Sequence, residues 1–327
     1  EAYQVTSTTV PNGNYQSAAN AKGEVFITAS VGRPPIKEST LVKGHYDASG
    51  KFVIDKQITP AAAADGKGVN GVYGVAVDDA NGYVWVSNTR QNTVAVYKQS
   101  DLSLVKQYPA NAVTHARAMR VIGDSVYVTE AARGKGGGIK VFNAKQLDAA
   151  PTTIDLPEGA VPMDFDVDSA SGRLFTVDLN LNKAYKSFFQ SGFGFLDIPT
   201  GNQALGAVYS NGYVYVGNRT AGTVSVINAS SLKVEAILPT GTNPNHLSVN
   251  PDGSVNVLDK APSNNQIFRI ARKGATPTPT TPVPAPTSSP TAAPTAAPVP
   301  TAPASPTAKP SVPASPAPTS PAKPSAS

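Results

Sequence analysis

The chain contains no cysteine, only three histidines and no apolar run of about 20 residues. Without cysteine there can be no disulfide bond, no thiolate metal ligand and no cysteine nucleophile. The histidines are too scattered to form a histidine metal motif, and no G-x-S-x-G turn marks a serine hydrolase. The missing apolar run predicts that no helix crosses a membrane. These absences remove the commonest enzyme motifs and favour a binding protein.

Proline is concentrated at one end of the chain. Residues 275–327 consist almost entirely of Pro, Ala, Thr and Ser and contain more than half of the 30 prolines but no aromatic residue. Such a segment buries too little apolar surface to offset its conformational entropy. We therefore expect a folded domain over residues 1–274 and a disordered tail or linker with polyproline II character over residues 275–327.

Charge and the first residue bear on location and partners. The net charge is +5, and the tail contributes two lysines and no acid, which leaves +3 on the predicted domain. This modest excess is compatible with an anionic partner. The chain starts with Glu1 rather than methionine, and it lacks thiols. We expect a secreted, periplasmic or cell-surface protein from which a signal peptide has been removed.

One short pattern, a turn followed by an alternating strand, occurs six times. The six copies are GEVFITAS, GYVWVSN, DSVYVTE, GRLFTVD, GYVYVGN and GSVNVLD, and their fourth residues are Phe26, Trp85, Tyr127, Phe175, Tyr215 and Asn256. The intervals between these residues are 59, 42, 48, 40 and 41. A period near 40 with room for four strands is typical of a β-propeller blade. The sequence predicts an all-β propeller with six recognisable blades.

The two ends of the predicted domain complement each other. The last unit ends after its third strand, at residues 266–270, and the β-rich segment Tyr3–Val10 has no blade of its own. We expect this N-terminal strand to complete the final blade and cover its open edge. Two alternatives stay open, a seven-bladed ring with one divergent unit and a pair of β-sandwiches.

The stretch GVYGVAVDDANGYVWVSNTRQNTVAVYKQSDLSLVKQYP, followed by His115-Ala116-Arg117, resembles the YncE-like branch of the YVTN-repeat propellers. Residues Tyr213–Asn218, YVYVGN, are similar to the YVTN core of that repeat. The resemblance implies export, usually seven blades, and single-stranded DNA binding, which is associated with one member of the family.

Candidate site residues collect on one predicted face, where second strands end and first strands begin. We call it the mouth face, and its candidate ligand-binding residues are Tyr73, Arg90, Gln91, His115, Arg117, Arg219 and His246. Arginine, histidine and amide groups around a channel suit a polar or anionic ligand. The expected partner is a protein, a cell-wall polymer or another polyanion. Single-stranded DNA is an alternative, with the arginines on phosphates and Tyr73 as a stacking surface.

Plain structural roles compete with these interpretations. Corner residues such as Arg90, His115 and His246 also commonly cap turns or bridge blades. Three acids that follow second strands, Glu130, Asp178 and Asp259, form the alternative metal site. Carboxylates from three blades would suit Ca²⁺ or Mg²⁺ in a lactonase-like hydrolase. Our primary prediction is a monomeric binding propeller without a cofactor.

Overall fold

The computed structural model describes residues 2–32, 36–60, 68–131, 138–156, 161–168, 173–178, 183–188, 196–201, 203–261 and 265–274. Within these ranges the chain forms strands and turns and contains no helix. No helix in the described ranges is therefore long and apolar enough to span a bilayer. The predicted tail, residues 275–327, lies outside them.

The described residues contain 24 strands, and five blades each use four consecutive ones. Blade one has β2 (Asn14–Ala19), β3 (Glu24–Val31), β4 (Glu38–Tyr46) and β5 (Phe52–Ile58); blade two has β6 (Val72–Asp78), β7 (Tyr83–Asn88), β8 (Thr93–Lys98) and β9 (Leu104–Gln107). Blade three has β10 (Ala116–Ile122), β11 (Ser125–Glu130), β12 (Gly138–Asn143) and β13 (Thr152–Asp155); blade four has β14 (Pro162–Asp168), β15 (Arg173–Asp178), β16 (Lys183–Phe188) and β17 (Leu196–Pro199). Blade five has β18 (Ala204–Ser210), β19 (Tyr213–Asn218), β20 (Thr223–Asn228) and β21 (Val234–Pro239).

A further four-stranded sheet, the closing blade, joins the two ends of the domain. It contains β22 (Pro244–Val249), β23 (Val255–Lys260), β24 (Asn265–Arg272) and, as its outermost strand, β1 (Tyr3–Thr9). Strand β1 runs antiparallel to β24, from Tyr3 opposite Arg272 to Thr9 opposite Gln266. This pairing confirms the predicted closing strand, which supplies partners for backbone groups that β24 would otherwise expose.

The sheets are arranged in a ring. The first strand of each blade contacts the first strand of the next, and β22 contacts β2 of blade one. These six innermost strands surround a central channel. The all-β propeller prediction is confirmed, and the described residues contain no further sheet for a seventh blade.

Large side chains pack between neighbouring blades and hold the ring together. All six of the fourth repeat residues are buried: Phe26, Trp85, Tyr127, Phe175, Tyr215 and Asn256. Trp85 is fully buried against Tyr108 and Phe142, with ring centres 6.0 and 5.9 Å away. Aromatic rings bury large apolar areas, so their recurrence at one repeat position stabilises successive blade contacts.

The closing blade departs from this pattern because its fourth residue is polar. The Asn256 amide nitrogen donates to Asn250 Oδ1 at 2.7 Å and to Ser248 Oγ at 3.2 Å. Its oxygen accepts from the hydroxyl of Tyr46 in blade one at 2.9 Å. The seam between the closing blade and blade one therefore contains a buried hydrogen-bond network as well as apolar contacts.

Candidate anion-binding site

Every innermost strand is irregular at the same place, directly after its first residue. In each blade the pairing with the second strand shifts there, so the first strand holds one extra residue. The residues that directly follow the first strand residue are Tyr15, Tyr73, Arg117, Met163, Leu205 and Asn245. Bulges of this kind redirect side chains and are frequent beside functional sites. The repeat therefore places a bulge at the same end of all six innermost strands.

Hydroxyl groups of second strands tie two of these bulges to the next blade. In blade one, Thr28 Oγ1 accepts the N–H of Gln16 at 3.2 Å and donates to the carbonyl of Tyr73 in blade two. In blade two, Ser87 Oγ accepts the N–H of Gly74 at 2.7 Å and donates to the carbonyl of Arg117 in blade three at 2.8 Å. Each hydroxyl thus links its own bulge to the bulge of the next blade.

The contact between blades two and three requires a glycine. A Cβ atom on Gly74 would lie 1.8 Å from the carbonyl oxygen of Arg117 and 2.6 Å from Ser87 Oγ. Any larger residue would push the two blades apart. The close approach of the two backbones fixes the position of the Arg117 backbone relative to blade two.

Four side chains from four blades form a continuous stack at the mouth. Lys260 Nζ lies 3.1 Å from the centre of the Tyr15 ring, and the rings of Tyr15 and Tyr73 are 4.4 Å apart. The Arg117 guanidinium carbon lies 4.4 Å from the centre of the Tyr73 ring, and Arg117 also donates to the Tyr73 hydroxyl. Both cations therefore rest on aromatic rings, which attract positive charge. We call these four residues the mouth stack.

Lys260 is the electrostatically unusual member of the mouth stack. Burial, followed by the positive charges of Arg219 and Arg117, lowers its pKa from 10.5 to about 7. In the described part of the chain no carboxylate forms an ion pair with Lys260. The half-buried Lys260 and the two arginines near it thus form a region of uncompensated positive charge. A bound anion would reduce the repulsion among these cations.

Arg219 reaches this region from blade five. It directly follows β19 and its backbone N–H donates to the carbonyl of Gln203 at 3.0 Å. Lys260, the last residue of β23, occupies the equivalent position in the closing blade, and its backbone N–H donates to the carbonyl of Asn243 at 3.0 Å. Two cations at one repeat position thus enter the mouth from adjacent blades, and Arg117 enters from blade three.

Other predicted site residues lie in corner loops of the same face. Arg90 and His115 are exposed, and the backbone N–H of His115 donates to Asn92 Oδ1 at 2.9 Å, which joins the corners of blades two and three. Gln91 is half-buried, and its backbone N–H lies 3.4 Å from Asn88 Oδ1. These three residues stand in the loops around the mouth, whereas Tyr73, Arg117 and Arg219 belong to the cationic centre.

His246 is placed deeper, inside the channel wall. It is 1% exposed, its Nδ1 accepts the N–H of Ser17 at 3.1 Å, and its Nε2 lies 3.6 Å from Asp164 Oδ2. Burial, and then the charge of Arg120, lower its pKa well below 6.5. His246 therefore acts as a neutral structural acceptor between the closing blade and blade one, and it does not reach the mouth surface.

A charged layer crosses the channel at this depth. Arg120 Nη2 lies 3.1 Å from Asp164 Oδ1, and Arg120 Nε lies 3.6 Å from Asp166 Oδ1. Asp164 is fully buried, and burial raises its pKa to about 6 although Arg120 opposes the change. Burial also raises the pKa of Asp166. Arg120 is thus paired with two carboxylates, so the layer adds no uncompensated cation to the channel.

Two of the alternative metal residues, Glu130 and Asp259, accept backbone hydrogen bonds in the described structure. Glu130 Oε1 accepts the N–H of Thr114 at 3.0 Å, and Asp259 accepts the N–H groups of Thr242 and Asn243 at 3.3 and 2.6 Å. Each of these acids thus caps the loop that enters its own blade. The side chain of Asp178 lies outside the described residues, and among those described no three metal-binding side chains come together.

Sequence reasoning missed Tyr15 and Lys260. Tyr15 is the blade-one equivalent of Tyr73 and Arg117, and Lys260 is the closing-blade equivalent of Arg219. An alignment of the six units on their first strands would have shown both. Lys260 and Tyr15 are distant in sequence, so no local sequence pattern indicates that they lie in contact.

Comparison with known proteins supports the fold only. The chain matches no protein-family model and no curated protein sequence. Among solved structures it is similar to the luciferin-regenerating enzyme, with a TM-score of 0.63 and 8% identity over 84% of this chain and 98% of that chain. It is also similar to a chain of a nidogen/laminin complex (TM-score 0.58, 12% identity, 72% and 84% covered) and to streptogramin B lyase (0.53, 16%, 83% and 99%). These neighbours include enzymes and a protein from a complex, so the propeller fold does not decide between catalysis and binding.

Proposed function

We propose that this propeller is a binding protein whose mouth face recognises an anionic group. The observation that carries the proposal is the convergence of Arg117, Arg219 and Lys260 around the paired rings of Tyr15 and Tyr73. Guanidinium groups bind carboxylates and phosphates in a fixed geometry, and an ammonium group adds a compact charge. A ligand at the mouth would meet cations from blade three, blade five and the closing blade.

The geometry favours a compact anionic group over a stacked nucleobase. Tyr15 already packs against Tyr73 and Lys260, and Tyr73 already packs against Tyr15 and Arg117. Because each ring has two side-chain partners, the rings hold the cations in place and offer little free surface for stacking. Terminal carboxylates, phosphates or sulfates of a protein, a cell-wall polymer or a small molecule fit this arrangement.

A calorimetric titration with sulfate at low ionic strength tests the proposal, because sulfate does not change its own charge between pH 6 and pH 9. We expect saturable binding that weakens about ten- to hundredfold in Arg117→Gln or Lys260→Met, since a hydrogen bond to a charged group contributes about 1.5–3 kcal/mol. Affinity should also fall as the pH rises above 7, because Lys260 then loses the proton that attracts the anion.

A matched control variant is available far from the mouth. Arg272 stacks on the ring of Tyr213 with its guanidinium carbon 4.0 Å from the ring centre, in a setting chemically similar to that of Arg117 on Tyr73. Arg272→Gln should leave sulfate binding unchanged. Equal weakening in Arg272→Gln and Arg117→Gln would mean that sulfate responds only to net charge, and the proposed site would then be rejected.

A labelled single-stranded oligonucleotide, titrated in the same way, separates the two ligand classes. Contact of phosphates with the mouth cations predicts that sulfate competes with the oligonucleotide and that Arg117→Gln weakens the binding of both. Tight oligonucleotide binding that sulfate does not displace would contradict the compact-anion proposal and favour a nucleic-acid surface elsewhere.

A further inference from the structure

Lys260 is partly buried and has no acidic partner in the described structure, in contrast to three other lysines. Lys43 lies 2.7 Å from Glu24, Lys145 lies 2.9 Å from Asp124, and Lys106 pairs with Asp148. Lys260 instead places its amine on the Tyr15 ring, with its backbone N–H tied to the carbonyl of Asn243. Its position is therefore fixed by the fold, while the amine itself has no neutralising carboxylate in the part of the chain described.

The surroundings of the amine favour its neutral form. The groups that face it are the Tyr15 ring from β2, Arg117 from β10 and Arg219 after β19. Burial and the two positive charges bring the pKa of Lys260 to about 7, so a large share of the amine is neutral at physiological pH. A neutral lysine amine is a nucleophile towards carbonyl carbon, and a nearby cationic group is one of the known ways of activating it.

The same neighbours select a class of electrophile. Arg117 and Arg219 are suited to hold a carboxylate, which brings a carbonyl group on the same small molecule towards Lys260. Resting on the anion site proposed above, we infer that Lys260 forms an imine with small oxo-carboxylates bound at the channel mouth. The inference adds a covalent reaction and a ligand class to that site.

The reaction is balanced without an oxidant or reductant. The lone pair of the Lys260 nitrogen forms a bond to the carbonyl carbon, and the carbonyl π electrons move to oxygen. The two amine protons are transferred to that oxygen, which leaves as water, and a carbon–nitrogen double bond remains. Only the oxo-carboxylate is consumed, and hydrolysis reverses the step.

Reductive trapping with glyoxylate and cyanoborohydride at pH 7.5 tests the inference. Reduction of the imine leaves one carboxymethyl group on the reacting lysine, and peptide mass mapping locates it. We expect Lys260 to be modified at least about tenfold faster than the exposed Lys22 and Lys233, because a much larger share of its amine is neutral. Sulfate should protect Lys260 and leave the two exposed lysines unaffected.

Further variants and a second aldehyde distinguish reaction at a specific carboxylate-binding site from the general reactivity of lysine. Lys260→Arg should abolish the fast phase, and Arg117→Gln should slow it about tenfold or more through loss of a charge-assisted contact. Arg272→Gln should leave it unchanged. Acetaldehyde, which has no carboxylate, should prefer Lys260 over Lys22 and Lys233 less strongly than glyoxylate does, because only the larger neutral share of the Lys260 amine then favours it.

The outcomes distinguish this inference from the proposed function. Sulfate binding without preferential glyoxylate labelling of Lys260 would overturn the imine and leave the anion site standing. Fast labelling that neither sulfate nor Arg117→Gln slows would overturn it as well, because the carboxylate would then have no role. Absence of sulfate binding in the wild type would reject the anion site itself.

Discussion

Replacing Lys260 with methionine should stabilise the protein at neutral and acidic pH. Methionine keeps the unbranched apolar stem that packs at the mouth and removes only the amine. In the wild type this amine lies half-buried near Arg117 and Arg219. Because charging it is unfavourable in the folded state, its removal should raise the free energy of unfolding, as expected for a site selected for binding rather than for stability.

The magnitude follows from the change in pKa. One pKa unit corresponds to about 1.4 kcal/mol, so a fall from 10.5 to about 7 corresponds to at most about 5 kcal/mol. Contact of the charged amine with the Tyr15 ring offsets about 0.5–2 kcal/mol of this. Partial access of the amine to water reduces the destabilisation further. We therefore expect Lys260→Met to stabilise the fold by about 2–3 kcal/mol at pH 6.

The pH dependence has a definite sign. Below pH 7 the Lys260 amine is protonated in both the folded and the unfolded state. The folded wild type is then destabilised by the full free energy of burying this charge. Between about pH 7 and 10.5 the unfolded chain binds one more proton than the folded chain, and wild-type stability rises with pH. The advantage of Lys260→Met should therefore shrink across this range and vanish near pH 10.5.

Urea unfolding of both proteins at pH 6, 7.5 and 9 measures the effect. Lys43→Met is the matched control, because Lys43 is 13% exposed and paired with Glu24 at 2.7 Å. That substitution should destabilise the protein, by an amount that does not shrink as the pH rises over the same range. A destabilised Lys260→Met at pH 6, or a difference from wild type that is independent of pH, would refute the assignment of uncompensated charge to the mouth.

Four further outcomes are expected, two from the channel and one each from the closing strand and the seam. Arg120→Ala should destabilise the protein by about 3–5 kcal/mol, because it leaves the buried Asp164 carboxylate without its cation. The raised pKa of Asp164, about 6 against 3.8, means that the folded state binds the extra proton. Stability should therefore fall by up to about 3 kcal/mol between pH 4 and pH 6, and Asp164→Asn should remove that slope in urea unfolding. Deletion of residues 1–10 should lower the melting temperature of the whole domain by exposing β24, whereas deletion of residues 275–327 should change it by only a few degrees; equal effects in calorimetry would contradict this account. Asn256→Ala should cost about 2–4 kcal/mol by removing the partners of Tyr46 and Asn250, and an unchanged urea midpoint would show that water replaces them.

The blade repeat was the part of the fold that could be predicted from the sequence. Alternating strands, turn residues and the interval between Trp85 and Tyr127 are local features, and they sufficed for the propeller and for the role of residues 3–10 as closing strand. The polar seam at Asn256 was visible as a departure from the aromatic pattern, but its hydrogen-bond partners on other strands were not.

The residues of the candidate site could be predicted only in part from the sequence, and the reason is physical. Tyr73, Arg117 and Arg219 were predicted because each stands at a blade corner that the repeat identifies. His246 stands at a similar corner, yet the bulge at Asn245 and the fold of the closing blade bury its ring against Ser17. One residue of displacement along a bulged strand decides whether a side chain faces the mouth or the interior.

Taken alone, the amino-acid order determined the blade period and the set of basic residues at the blade corners, because both depend on residues close in sequence. It also determined the closing strand, because the last unit is one strand short. The tertiary structure decided which of those residues act together. Closure of the ring brings Lys260 onto Tyr15 from the other end of the domain, and the bulges of blades two and three set Tyr73 beside Arg117. The lowered pKa of Lys260 arises from that convergence, since burial and the two arginine charges act on the amine only when three blades meet around one channel.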